Sequence, residues 1–391
     1  MILPIHTQPK SDEILSSWLV RLALCNRLPI HTFYRSLLGY RGEIWTRDID
    51  RHPSLDLLET LSDVTSLPVL RLKNLSLSYY ESKLFEELPY NGDVPWVVPV
   101  GIYHRSRLRL SMQYCPRCLY EDDAPYYRKA WRTALCVICP DHRCLLLDCC
   151  AACKSPIMFH RHGIGRSRRL INHPGRICSI CLASIGDANA TVLDTNPSIV
   201  SEYAKLISVL DGGGSNFLKL TAGNELLLFR GIRILVALII GRNGRQLRKV
   251  LQDTIRLEIV PVPRRDFEYQ PIEVRLNCML AVVWMLEEWP DRFICIINTA
   301  KLTRSRLTDA DAYVPFWLSS VTDAFFNHGP IVPSEKEMLA AISYLIKSNR
   351  GICWQDLADI TGLKRDAARR ALKRWEESHD KASPTTRGVL T

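Results

Sequence analysis

A mainly α, multidomain fold is what the sequence predicts, and three observations predict it. Apolar residues recur at helical spacing near both ends of the 391-residue chain. Four close-spaced pairs of cysteine and histidine lie between them, and a turn glycine separates two short helical patterns near the C-terminus. Together these give a helical N-terminal domain, a twin zinc-ribbon module, and a helical C-terminal region ending in a helix-turn-helix. The expected divisions are residues 1–110, 111–190, 191–330 and 331–377, with residues 378–391 as a disordered tail.

Ser11-Asp-Glu13 opens the first expected helix, in which Ile14, Leu15, Trp18, Leu19 and Leu22 share one face. Ser11 is the expected cap, and the two acids suit the positive end of a helix dipole. His31–Leu38 reads as a second helix ending at Gly39, and Leu55–Leu61 as a third. The loop Pro89–Pro99 then leads into the cysteine-rich region.

That region reads Cys115-Pro-Arg-Cys118, Cys139-Pro-Asp-His142, Cys150-Ala-Ala-Cys153 and Cys178-Ser-Ile-Cys181. Two ligands two residues apart grip one tetrahedral zinc from a tight turn, and a second pair closes the shell. The expected sets are Cys115, Cys118, Cys139 and His142, then Cys150, Cys153, Cys178 and Cys181, giving two Zn2+ per chain. Cys136-Val-Ile-Cys139 has the same spacing, so Cys136 in place of His142 is an open alternative. Against it, Cys136 lies in the apolar run Ala134–Ile138, which reads as a buried strand where cysteine serves as a small hydrophobe. Cys144 and Cys149 read as packing. A closed four-ligand shell leaves no position for water, so the module is expected to be a scaffold or reader and not a zinc catalyst. A module this small buries little area, so the metals are expected to supply its stability.

The alternative reading of these cysteines, disulfides in a secreted chain, fits poorly, because no signal-peptide pattern opens the sequence. The longest apolar stretch, Ile234–Ile240, is too short to cross a bilayer. A cytoplasmic protein without a membrane partner is expected, in a compartment that keeps thiols reduced. The formal net charge of +10 favours a polyanionic partner. Arginines crowd His160–Arg169, His104–Arg109 and the far C-terminus.

Beyond residue 190 the pattern is helical again. Glu225–Ile240 is one strong element, and Val274–Glu288, closed by Trp289-Pro290, is another. Gly212–Gly214 has no following lysine-serine or lysine-threonine step, so it is not a nucleotide-phosphate loop. Pro333-Ser334 introduces a helix with Met338, Ile342, Leu345 and Ile346 on one face. Trp354–Ile360 makes a short helix, Thr361-Gly362 a turn, and Lys364–Glu376 a third helix with Ala368, Ala371, Leu372 and Trp375 as its apolar stripe. Lys364, Arg365, Arg369, Arg370 and Lys373 lie at its start or on its outer side. This is a helix-turn-helix with a basic recognition helix, and DNA is the expected partner. Arg365 and Arg369 are expected at guanine edges, and Lys364, Arg370 and Lys373 at phosphates. A solvated basic helix in an ordinary bundle is the competing reading.

The combination resembles the TniQ/TnsD family, target-selection proteins of a group of bacterial transposons. The resemblance rests on Pro9–Arg21, on Tyr114–Leu119, Trp131-Arg132, Cys139–His142 and Leu145–Cys153, and on Trp284–Arg292. It favours His142 over Cys136 in the first set; the extra cysteines Cys136, Cys144 and Cys149 depart from the pattern. It implies a transposition target-selection protein that binds DNA, or a DNA-bound guide complex, and recruits an AAA+ ATPase of the TnsC/TniB type through its N-terminal domain. The ATPase in turn recruits the transposase. An RNA-guided Cascade-type complex as partner, a homodimer and association with the bacterial nucleoid are further expectations. An enzyme fits less well, because none of the ten histidines precedes a glutamate at the spacing a zinc deaminase needs. The remaining alternatives are a sequence-specific zinc-containing transcription regulator and an adaptor docking on an RNA-guided effector complex.

Overall fold

The computed structural model describes residues 2–103, 106–162, 174–193, 195–212, 225–304, 313–326, 333–363 and 365–380. The tail expected from residue 378, apart from its first three residues in a helix, lies outside these, as does most of the arginine-rich segment 160–169. The chain divides into two compact units: Met1–Leu302 with Arg306–Thr322, and Thr303–Ser305 with Asp323–Thr391. The divisions expected at residues 110 and 190 fall inside the first unit.

The first unit begins with α1 (Leu15–Cys25), whose residues Leu15, Trp18, Leu19 and Leu22 are fully buried together with Ile14. Ser11 does not cap it. The helix starts four residues later than that, with Ile14 at the cap position and no side-chain cap. The reason is that residues 12–14 are committed elsewhere. Ile14 N donates to Tyr127 O (2.9 Å), Lys129 N donates to Asp12 O (2.8 Å), and Glu13 bridges Arg128 in antiparallel fashion. Glu13 is therefore folded beneath α1, where it accepts from Ser17 Oγ (2.9 Å) and Lys10 N (3.1 Å) and pairs with Arg21.

Burial pushes the Glu13 carboxyl up from about 4.5 to about 6, against the opposing charge of Arg21. Between those two values the unfolded chain releases its proton first, so this group's contribution to stability falls as pH rises through the window. A shift of that size corresponds to about 2 kcal/mol. Urea unfolding of the Glu13→Gln protein is expected to show a flatter profile than the wild type between pH 4.5 and 6. Parallel profiles would show that Glu13 titrates as it does in the unfolded chain.

Helix α2 (Ile30–Thr32) runs on into a π turn over Phe33–Leu37, and Gly39 (φ +64°) ends the segment as expected. Helix α3 (Leu55–Thr65) is longer than expected. Ser54 caps it, and Leu57, Leu58 and Leu61 are buried. A short α4 (Val69–Lys73) follows. The strands β1 (Ile102–Tyr103) and β2 (Ser106–Arg107) pair antiparallel, Ile102 opposite Arg107.

In the cysteine-rich region the only α-helix among the described residues is α5 (Pro116–Glu121). The run Ala134–Ile138 is buried as expected, but it forms no strand. Its one pairing is an isolated bridge, Ile138 to Leu145. Tyr114–Leu147, Cys149–Pro156 and Ile177–Ser184 are similar bridges. The ribbons are reduced to single bridges because the chain reverses at each knuckle before a ladder can extend.

The remaining helices of this unit are α6 (Pro197–Ser208), α7 (Glu225–Ile240), α8 (Arg245–Ile255), α9 (Ile272–Glu287), α10 (Asp291–Thr299) and α11 (Phe316–Phe325), the last mostly within it. Helix α9 is apolar nearly all round and packs against α6, α7 and α10, which makes it the centre of the helical core. The cysteine-rich region is tied in on both sides. Arg132 pairs with Asp48 (2.6 Å) and Asp50 (3.2 Å). Arg275 Nη1 donates to Gln113 Oε1 (3.1 Å).

The second unit contains α12 (Glu335–Lys347), α13 (Trp354–Thr361) and α14 (Arg365–Asp380). Ser334 and Glu337 close a capping box on α12. Met338, Ala341, Ile342, Leu357, Leu363, Ala368, Ala371 and Leu372 form the core, with Ala358 and Trp375 packed on it. Ile346 was expected on the buried face but is 61% exposed. It follows the fully buried Leu345 by one residue, a turn of about 100° around the helix, which carries it off the face. Gly362 adopts φ +67°, the left-handed turn between α13 and α14 that a side chain would strain.

Candidate metal centres and nucleic-acid-binding helix

Three of the four knuckles share one local design. The residue after the second ligand, Arg143, Lys154 or Leu182, adopts positive φ, and its amide donates back to the carbonyl of the first ligand at 2.8, 2.8 and 3.0 Å. This reversal brings the paired side chains to one side. At the remaining knuckle Pro116 starts α5 directly, and Cys115 Sγ accepts from Cys118 N (3.5 Å).

The structure brings Cys115, Cys118, Cys139 and His142 together, their ligand atoms all within 4.8 Å of one another. His142 Nδ1 lies 3.5, 3.3 and 3.4 Å from the sulfurs of Cys115, Cys118 and Cys139. Cys118 and Cys139 are 3.5 Å apart, sulfur to sulfur. Zinc–sulfur bonds of about 2.3 Å and zinc–nitrogen bonds of about 2.0 Å span tetrahedral edges of roughly 3.5–3.8 Å, so the four atoms fit the corners of one such shell. Thiol hydrogen bonds from Cys118 and Cys139 hold Cys115 far below the ordinary thiol range, while Cys118 is pushed up, and Cys139 to about 11, by their contacts with Cys115.

Cys136 lies outside the group. It is 1% exposed, its thiol donates to Ile138 O (3.5 Å), and burial pushes it well above the ordinary range. Cys144 is also buried, with its sulfur 3.6 Å from that of Cys115.

Cys150, Cys153, Cys178 and Cys181 form the second group. The sulfurs of Cys150 and Cys181, and those of Cys153 and Cys178, are 3.7 Å apart. A hydrogen bond with the Ser155 hydroxyl (3.0 Å) holds Cys153 down at about 6. This group is more open, with Cys153 and Cys181 exposed.

Sequence reasoning missed two supports of these groups. Glu121 Oε2 lies 2.8 Å from His142 Nε2, so the carboxylate fixes the ring with Nδ1 towards the three sulfurs. The signal was its place on α5, three residues after Cys118. Arg176, two residues before Cys178, donates to the carbonyls of Leu119, Tyr120 and Asp122 at the end of α5. One guanidinium thus ties the second group to the helix that carries Cys118.

In the second unit, Arg365, Arg369, Arg370 and Lys373 are all exposed on α14, and Lys364 lies outside the described residues. The guanidinium carbons of Arg365 and Arg369 sit 5.2 and 4.6 Å from the centre of the Trp354 ring. Trp354, at the start of α13, therefore holds two arginines one helical turn apart, a role its sequence position did not reveal. Lys373 Nζ is 3.9 Å from Glu377.

Among described residues no helix is long and apolar enough to cross a membrane. Compared with curated proteins, the chain matches none. Residues 4–146 match the model of the TniQ family, a segment that includes the whole first cysteine–histidine group. Proteins of that family are non-catalytic adaptors with a general role in selecting targets for transposition. The chain carries a TniQ domain over residues 4–146.

Proposed function

We propose that the chain is a non-enzymatic targeting factor of transposition, which binds DNA and recruits an AAA+ ATPase that leads to the transposase. The match to TniQ over residues 4–146 carries this reading. In it, Cys115, Cys118, Cys139 and His142 hold one zinc ion and Cys150, Cys153, Cys178 and Cys181 a second. Bound there, zinc supplies folding energy through a filled shell and offers no open position for chemistry. Glu121 orients His142, and Arg176 passes the order of one knuckle pair to the other.

DNA is contacted by α14. Arg365 and Arg369 reach guanine edges from the first turns, pre-set by stacking on Trp354. Arg370 and Lys373, together with Lys364, meet phosphates and hold position. The turn at Gly362 and the buried stripe Ala368, Ala371 and Leu372 support this, since they leave the basic face outward.

The ATPase contact is assigned to the TniQ-matching segment. Because that segment shares its core with the rest of the first unit, deletion is a poor test. Cross-linking of the full-length protein to its ATPase, read by mass spectrometry, is expected to place most links within residues 4–146. Links confined to residues 323–391 would overturn the assignment. For α14, the Arg365→Ala, Arg369→Ala protein is expected to lose preference among duplexes by about 1–3 kcal/mol per guanine contact, as measured by competition binding. An unchanged preference and salt dependence would remove α14 from the DNA interface.

A further inference from the structure

Helix α8 carries a basic face whose cations make no ion pair among the described residues. Its inner side, Leu247, Val250 and Leu251, is buried, and the helix packs against α7 and α10. Its outer side presents Arg245, Lys249 and Gln252, with Arg256 at its C-cap, all exposed. At about 100° per residue these positions fall within an arc of roughly 60°, a straight stripe about 16 Å long. Arg242, in the turn before the helix, adds a fourth exposed cation. None of the four cations makes an ion pair among the described residues, although Asp253 stands on the flank of the stripe. Arg248 shows the contrast: it is half-buried and turned back to donate to Ile239 O and to Gly241 O (3.0 Å). A merely solvated helix face interleaves both signs and forms pairs three or four residues apart.

A second observation concerns the start of α8. Its first turn holds no acid, and no side chain caps it. Gly244 occupies the cap position, where a Cβ would collide with the carbonyls of Leu238 and Ile239, so serine or aspartate cannot serve there. Arg242 and Arg245 thus sit at the positive end of the helix dipole, an arrangement that costs stability unless an anion offsets it. A lipid surface does not fit, because a membrane-lying helix needs its apolar side, and here that side is in the core. A regular row of phosphates does fit.

We propose that the outer face of α8 is a second contact for duplex DNA, carried by the first unit and distinct from α14. The proposal rests on the reading that DNA is the partner, but not on the reading of α14. The stripe follows the backbone through Arg245, Lys249 and Arg256, with Arg242 at one end. Gln252 is the group on the stripe able to bond a base edge.

The test is fluorescence anisotropy of the full-length, zinc-loaded protein on a labelled duplex across a range of salt concentrations. The Arg245→Ala, Lys249→Ala, Arg256→Ala protein is expected to lower the slope of log affinity against log salt by about 2–3 units. The charge-keeping Arg245→Lys, Lys249→Arg, Arg256→Lys protein should retain the slope, which separates charge from folding. Combining the alanine changes with Arg365→Ala and Arg369→Ala should add the two losses. If only the α14 pair proves silent, the α8 contact stands and the α14 reading falls. An unchanged slope in the α8 triple variant overturns the proposal. So does single-stranded RNA displacing the labelled duplex at lower concentration than unlabelled duplex.

Discussion

Stripping the metal from the first group is expected to be the most damaging single change to this protein. Elemental analysis of the purified chain should give about two zinc ions per chain if both four-residue groups hold zinc as proposed. Structural zinc contributes about 10–16 kcal/mol of apparent folding energy in small modules, comparable with the whole net stability of a typical domain. The loss should spread beyond residues 111–190, because this region is wired into both neighbours. Gln113 accepts from Arg275, and Arg132 reaches Asp48 and Asp50. Cys118→Ser is therefore expected to lower the zinc ratio to about one and to abolish cooperative thermal unfolding of the first unit. His142→Ala should have the same direction with a smaller effect, since three thiolates remain. Cys136→Ser should keep both metals. A zinc ratio unchanged by His142→Ala but lowered by Cys136→Ser would make the four-cysteine set the correct one. Glu121→Gln offers a finer reading: it leaves all four ligands in place, and chelator competition should show zinc held about 10–100-fold more weakly.

The helices of this chain were legible where their patterns were strong. The helix at Glu225–Ile240 begins and ends where its apolar residues do, because a helix buried on most sides needs nothing but apolarity to specify it. The eight expected ligands also come together, since a two-residue spacing constrains geometry almost independently of context. What the sequence concealed was long-range commitment. Ser11 looked like a cap, yet the backbone of residues 12–14 is claimed by residues 127–129, over a hundred positions away. Ala134–Ile138 looked like a strand because it is apolar, but burial there is achieved without a ladder. Nothing in the sequence pairs Arg132 with Asp48 and Asp50, or Gln113 with Arg275; the fold does. Trp354 read as a helix start, and only the packing of α13 against α14 places it beneath Arg365 and Arg369.

Arg132 is where that concealed wiring makes its largest testable claim. Its side chain is 2% exposed and lies between Asp48, 18% exposed, and Asp50, 4% exposed. Ser16 completes the site, donating from N and Oγ to the two oxygens of Asp50, each at 2.8 Å. Burial pushes the Asp48 carboxyl up, but the charge and hydrogen bonds of Arg132 outweigh this, and the net shift is downward. For Asp50, burial is again the largest influence, Arg132 opposes it, and the neighbouring Asp48 charge tips the net shift upward. One guanidinium thus supports two carboxylates that would otherwise repel each other in the core. Arg132→Met keeps much of the apolar length of the side chain and removes the charge together with its hydrogen bonds. It is expected to destabilise the first unit by about 3–5 kcal/mol at pH 7, the usual cost of leaving a buried partner uncompensated. Without Arg132, Asp50 shifts further up, so its proton stays bound in the folded state at pH values where the unfolded chain has lost it. The variant should therefore recover stability as pH falls from 7 towards 5, and the further changes Asp48→Asn and Asp50→Asn should restore much of the loss at pH 7. Urea unfolding of the three proteins at both pH values decides it. A cost below about 1 kcal/mol for Arg132→Met would mean that water reaches these carboxylates and that the triad does not hold the two parts of the unit together.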